Sequence, residues 1–133
     1  MVAFTRNTPM KTNAINWFEI FTSDFNRAKT FYETILQRQL PEIEGNCGAK
    51  MALFAEGGDK GTGGALTKMD NCNPGAGGTV VYLDVEGDLD GVLSRVPTAG
   101  GKVVQARMAI PPHGFIGLIE DTEGNIVGLH SMV

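Results

Sequence analysis

Long apolar runs are missing from the sequence. No stretch approaches the ~20 consecutive apolar residues that a helix needs to cross a bilayer, and residues 1–13 lack the apolar core of a secretory signal. We therefore expect a cytoplasmic protein with no membrane partner, and we interpret residues 1–13 as a mobile tail.

An excess of basic residues is also missing. The chain has 11 Lys and Arg against 15 Asp and Glu, which gives a formal net charge of −4. Nucleic acids and anionic membrane surfaces attract proteins through clustered positive charge. The charge balance thus argues against both kinds of partner, and at most mildly favours a cationic ligand.

Cysteines are few and are not grouped. Cys47 and Cys72 stand alone in segments rich in Gly and Asn, and no CxxC motif occurs. This spacing is not typical of a metal site. We predict two loop thiols in a reducing compartment rather than a disulfide.

The most informative stretch that is present spans residues 14–36, AINWFEIFTSDFNRAKTFYETIL. It begins as a strand, in which side chains alternate between two faces. Both faces are largely apolar, which predicts a strand that is covered on both sides. Glu19 is the exception, because a covered carboxylate is costly unless it is paired, hydrogen-bonded or hydrated. Glu19 is thus either satisfied by a nearby Arg, Lys or backbone group, or it is a functional group in a pocket.

An amphipathic helix follows this strand. Thr22, Ser23 and Asp24 supply oxygens that can cap its first N–H groups. Apolar residues then recur at helical spacing and predict one buried face: Phe25, Ala28, Phe31, Tyr32 and Ile35.

The order strand, helix, three strands occurs twice in the 133 residues, which is a length typical of one domain. The predicted strands after the first helix are 40–44, 49–55 and 63–68, and turn-forming residues fill 69–78. The second set comprises a strand over 79–85, a helix that starts after Gly87-Asp88 and stops at Gly100-Gly101, and strands over 102–110, 115–120 and 125–132. Neither half covers both faces of its own sheet, so we predict a single α+β domain built from duplicated βαβββ modules, 14–70 and 78–133.

The duplicated βαβββ order resembles the vicinal oxygen chelate superfamily, which holds glyoxalase I, bleomycin-resistance proteins and extradiol dioxygenases. Two segments strengthen the resemblance over residues 15–132: TSDFNRAKTFYETIL after the first strand, and EDTEGNIVGL before and along the last strand. The resemblance implies mixed sheets that form a cup-shaped barrel with a ligand cavity. It also implies a homodimer.

Metal-dependent members of this superfamily hold a divalent ion through four side chains on the first and last strands of the modules. In this sequence those positions correspond to Trp17, Ala65, Val80 and Gly128, none of which ligates a metal through its side chain. We therefore expect no metal cofactor at these positions. Glyoxalase I activity is not expected either, because that chemistry needs a Lewis acid.

Polar groups remain on the implied face of the cup. Strand alternation places Glu19 and His130 on that face, where they are candidates for a catalytic acid/base pair or for ligands of a displaced divalent metal. Tyr82 is a further hydrogen-bond donor. The alternative interpretation makes His130 a satisfied core histidine and Tyr82 a wall residue.

Two classes of function follow. The first is a binding protein that holds a small organic molecule in its cup, with a wall made by Trp17, Phe21, Tyr82, His113 and Phe115; His113 is alternatively a plain loop residue. The second is an enzyme, either a lyase, an isomerase or a dioxygenase, that uses Glu19 and His130. Loss of the four usual ligands favours the binding protein.

Overall fold

The structure is a computed structural model that describes residues 13–45 and 48–133. The first half contains β1 (Trp17–Phe21), α1 (Phe25–Leu36), β2 (Glu42–Glu44), β3 (Lys50–Ala55) and β4 (Gly63–Lys68). The second half contains β5 (Tyr82–Asp84), α2 (Leu89–Ala99), β6 (Lys102–Ala109), β7 (Phe115–Glu120) and β8 (Ile126–Ser131). Nearly all of the predicted tail, and the thiol of Cys47, lie outside the described residues, whereas Cys72 is a free thiol.

Each half forms its own four-stranded mixed sheet. The strand order is β1-β4-β3-β2 in the first sheet and β5-β8-β7-β6 in the second. The pairs β1/β4 and β5/β8 are parallel, and the remaining neighbours are antiparallel. The predicted α+β fold with duplicated βαβββ modules is confirmed, although β5 is shorter than the segment 79–85 that the sequence predicts.

The two faces of strand β1 differ in their exposure to solvent. Ile20 is buried and Phe18 packs beside it against the helices, while Glu19 on the other face is exposed. The expectation that both faces are covered is therefore wrong at Glu19. An exposed carboxylate stays hydrated, so it carries no burial cost.

Helix α1 begins and packs as predicted. The side chain of Asp24 accepts a hydrogen bond from the N–H of Arg27 at 3.0 Å, which satisfies one free donor of the first turn. The predicted apolar stripe is the buried face of the helix. The helix ends at Gln37, which adopts a left-handed conformation with φ 53°.

Helix α2 ends as predicted but begins differently. Gly100 has φ 106° and donates its N–H to Val96 and Pro97, a glycine cap that requires the left-handed region. Asp88 occupies the cap position at the start, yet its side chain makes no capping bond and instead accepts one from Arg95. The first N–H groups of α2 thus lack the side-chain cap that α1 has.

One hydrophobic core joins the two halves. It contains the buried faces of both helices together with inward side chains from both sheets, for example Ile20, Leu66, Leu83 and Leu129. Removing this apolar surface from water is the main favourable contribution to folding.

A buried hydrogen bond crosses the same junction. The hydroxyl of Tyr32 on α1 donates to Asp121 Oδ2 at 2.7 Å, and both groups are buried. Burial and the neighbouring Asp121 carboxylate raise the pKa of Tyr32 well above its ordinary value. The hydroxyl is therefore protonated at neutral pH and donates its hydrogen bond to Asp121.

Glu123, in the turn between β7 and β8, caps α1 from the other module. Its Oε1 accepts hydrogen bonds from the N–H groups of Ser23 and Asp24 at 3.0 and 2.8 Å, and its Oε2 forms an ion pair with Arg27 at 2.8 Å. Burial acts to raise the pKa of Glu123, but hydrogen bonds from Arg27, Asp24, Thr122 and Ser23 outweigh it and lower the pKa from 4.5 to about 2. A carboxylate held in this way links the second module to the start of α1.

Replacing Glu123 with Gln is expected to lower the free energy of unfolding by about 2–4 kcal/mol at neutral pH, because the donors around it lose their charged acceptor. The pKa of Glu123 is about 2 in the folded protein, below its ordinary value of 4.5, so this contribution is complete above pH 4.5 and is lost as the pH falls toward 2. Urea unfolding curves across the acidic range measure it.

The matched control is Glu44→Gln, which removes an exposed carboxylate from β2. It is expected to leave stability nearly unchanged. If the difference between the wild type and Glu123→Gln stayed constant down to the lowest pH at which both fold, the assigned role of Glu123 would be wrong.

Candidate functional site

Each sheet has one face that packs on the helices and one that points away from them, which we call the open face. In the first sheet the open face carries Trp17, Glu19 and Phe21, because Phe18 and Ile20 point into the core. In the second sheet, strand alternation and register place Tyr82, Asp84, Gly128 and His130 on the open face.

The four positions that correspond to family metal ligands do not fit a metal ion. Trp17, Ala65, Val80 and Gly128 offer no oxygen, imidazole nitrogen or thiolate from their side chains. Gly128 is moreover covered by its strand neighbour Tyr82, since a Cβ atom at Gly128 would collide with the tyrosine ring. The tyrosine occupies the space that a longer side chain would need. Over residues 13–45 and 48–133, the structure shows no group of three or more His, Cys, Asp or Glu side chains that could hold a metal.

Glu19 and His130 each have a different partner. Glu19 Oε2 accepts a hydrogen bond from Trp17 Nε1 at 3.1 Å. His130 Nε2 donates to the carbonyl oxygen of His113 at 2.6 Å, since a ring nitrogen facing a carbonyl must carry the proton. In the described part of the chain, no hydrogen bond joins Glu19 to His130. The partner of Glu19 is thus an indole rather than the Arg, Lys or backbone group that the sequence suggested.

The other predicted ligand-binding residues do not form one wall. Phe21 is half-buried on the open face, whereas His113 lies in the connection before β7 with an exposed side chain. Phe115 lies on the opposite face, packed against the core, and the guanidinium of Arg107 lies 3.9 Å from its ring centroid. The expectation that Phe115 lines the cup is wrong. Phe115 pairs with Ser131 in β8, two positions from Leu129, which also points into the core.

A cavity of about 990 Å³ lies between the two modules, and we call it the seam cavity. Its walls are mainly apolar and come from both halves of the chain: Phe18, Leu36 and Phe54 from the first, and Val81, Leu83, Val85 and Val92 from the second. Of the residues that the sequence singled out for ligand or metal binding, only Tyr82 and Val80 border it. The seam cavity is the main feature that sequence reasoning missed.

Four charged residues border the seam cavity, and we call the part of its edge that these exposed residues form the mouth. They are Arg38 from the first module and Asp84, Glu86 and Asp88 from the second, and all four are exposed. Arg38 donates to the carbonyl oxygen of Phe54 at 2.8 Å, and Asp88 is paired with Arg95. Carboxylates therefore outnumber cationic groups among the lining residues.

Replacing Gly128 with Ala is expected to lower the free energy of unfolding by about 1–3 kcal/mol, because the new methyl group collides with the ring of Tyr82. The same change in a Tyr82→Ala background is expected to cost much less, since the ring that obstructs the methyl group has gone. A double-mutant cycle of urea unfolding measures the coupling between the two positions. Equal costs in both backgrounds would contradict the proposed contact.

Residues 14–129 match the model of the Glyoxalase/Bleomycin resistance protein/Dioxygenase superfamily. No curated protein matches the sequence.

Several solved structures share the fold. A glyoxalase/bleomycin resistance protein/dioxygenase family enzyme from Burkholderia phytofirmans PsJN has a TM-score of 0.64 at 15% identity, over 89% of this chain and 98% of that chain. A genomically encoded fosfomycin resistance protein from Listeria monocytogenes has a TM-score of 0.60 at 14% identity, over 91% and 92%.

A mutant of the Listeria protein, complexed with Mn(II) and 1S,2S-dihydroxypropylphosphonic acid, has a TM-score of 0.64 at 15% identity, over 93% of this chain and 95% of that chain. At these identities the structural likeness establishes the fold and not the chemistry. The match to the family model spans most of the chain, and the chain belongs to the glyoxalase/bleomycin resistance protein/dioxygenase superfamily.

Proposed function

We propose that this protein binds a small organic molecule in the seam cavity and does so without the four-ligand metal centre of its metal-dependent relatives. The observation that carries the proposal is a cavity of about 990 Å³ with apolar walls from both modules. Sites for small molecules are typically concave, mostly apolar and of roughly 300–1,000 Å³, with a few polar groups that orient the ligand.

A contact at one of the four positions that the resemblance assigns to metal ligands also supports this proposal. The tyrosine ring over Gly128 supplies an aromatic surface in place of a ligand, and the same Tyr82 borders the seam cavity. Aromatic rings provide large apolar contact areas for organic ligands.

The alternative function, an enzyme that uses Glu19 and His130, has less support. General acid/base catalysis requires both groups within hydrogen-bond reach of the same substrate. Glu19 is instead bonded to Trp17, and His130 to the carbonyl of His113. A displaced divalent metal would likewise need both side chains to leave these partners.

Assembly and location stay predictions from the resemblance and the composition. In the described ranges, no helix has the length and apolarity to cross a membrane. Sedimentation equilibrium tests the expected homodimer directly.

Ligand binding is tested by filling the seam cavity. Val81→Phe adds a ring to a half-buried wall residue and is expected to reduce the affinity for any cavity ligand at least tenfold, with little loss of stability. A thermal-shift screen of small organic molecules identifies ligands, because a ligand that binds the folded state raises the melting temperature. Isothermal titration calorimetry then compares the variant with wild type.

The matched control is Val104→Phe, which adds the same ring to an exposed residue of β6 that does not border the cavity. Its affinities are expected to equal those of the wild type. Ligands whose affinity is unaffected by Val81→Phe would place the binding site elsewhere.

Metal content separates the two functions. Purified protein dialysed without chelator is expected to contain far less than one equivalent of divalent metal, and EDTA is expected to leave the melting temperature unchanged. Glu19→Ala and His130→Ala are measured alongside. About one equivalent of metal in the wild type, lost in both variants, would favour the enzyme and contradict the proposed metal-independent binding.

A further inference from the structure

We propose that the occupant of the seam cavity is an organic cation with an apolar body, and that its charge lies at the mouth beside Asp84 and Glu86. This inference rests on the proposed function and adds the chemical class of the ligand. It follows from the arrangement of charge around the cavity, from the aromatic residues of its walls and from the reason why the cavity is open.

Asp84 and Glu86 are oriented by backbone donors. Asp84 Oδ1 accepts the N–H of Glu86 at 2.9 Å, and Glu86 Oε1 accepts the N–H of Met132 at 2.6 Å. Neither carboxylate forms an ion pair with a Lys or Arg in the described part of the chain. Asp88 differs, because Arg95 already neutralises it. Two oriented carboxylates at the mouth thus lack a cationic partner.

Positive charge near the cavity comes from one guanidinium and from the start of α2. Arg38 belongs to the first module, where the carbonyl of Phe54 holds its guanidinium, while both unpaired carboxylates belong to the second module. The uncapped N–H groups at the start of α2 add only a partial positive charge. One guanidinium against two unpaired carboxylates leaves the mouth negative, and this favours a cation over an anion.

The walls suit the rest of such a ligand. Phe18 and Phe54 stack with their ring centroids 5.7 Å apart, and both border the cavity together with Tyr82. Aromatic faces attract organic cations, most strongly where the cation is removed from water.

The two module junctions differ, and this difference explains why the cavity is open. At one junction the turn between β7 and β8 docks onto the start of α1 through Glu123. At the other, residues 56–62 between β3 and β4 make no hydrogen bond to residues 86–91 at the start of α2 within the described ranges. The space that a turn fills at the first junction lies open at the second, where Thr62 and Asp88 border the cavity from opposite modules.

The test compares three probes of similar shape by isothermal titration calorimetry: benzyltrimethylammonium, its neutral carbon analogue neopentylbenzene, and the anion phenylmethanesulfonate. Benzyltrimethylammonium is expected to bind at least tenfold more tightly than either of the others. Asp84→Asn and Glu86→Gln are each expected to weaken binding of the cation severalfold and to leave the affinity for the neutral probe unchanged. Added salt is expected to weaken the binding of benzyltrimethylammonium and to leave the affinity for neopentylbenzene unchanged, because salt screens exposed charges.

Asp90→Asn is the matched control, because it removes a carboxylate of α2 that does not border the cavity. It is expected to leave the affinity for all three probes unchanged. One outcome would contradict a cationic ligand and leave the proposed function intact. In that outcome the neutral and cationic probes bind equally, Asp84→Asn has no effect on either, and Val81→Phe abolishes the binding of both. Absence of binding by all three probes, together with ligands from the screen that do not respond to Val81→Phe, would overturn both.

Discussion

The buried carboxylate of Glu123 is the interaction on which the arrangement of the two modules depends. Its side chain has no exposed surface, and it accepts hydrogen bonds from Ser23, Asp24 and Arg27, about 100 residues earlier in the chain. A charge in this position is stable only because several donors surround it. Tyr32 and Asp121 extend the same contact into the core, so the second module fixes where α1 begins and how it lies.

The two junctions between the modules of the duplicated fold differ in structure. One is filled and held by ionic and hydrogen-bonded contacts, while the other encloses the seam cavity between apolar walls. Duplication provides two equivalent junctions, and the second one leaves a cavity that Asp84 and Glu86 border.

Membership in the superfamily establishes the scaffold and leaves the chemistry open. The four positions that the resemblance assigns to metal ligands carry Trp17, Ala65, Val80 and Gly128, and the ring of Tyr82 covers the last of them. The side chains at these positions are aromatic, apolar or absent. The structural neighbours include a protein complexed with Mn(II), and the likeness to that protein extends to the fold alone.

The sequence alone determined the order of the elements, the buried stripe of α1 and the glycine stop of α2. Each of these depends on local periodicity or on the chemistry of single residues. Only the tertiary structure decided the cap supplied by Glu123, the separate partners of Glu19 and His130, and the seam cavity, because these involve residues far apart in the chain. The tertiary structure also decided on which face of the second sheet the side chain of Phe115 lies. Both faces of β7 are apolar, so alternation alone does not distinguish the core face from the open face.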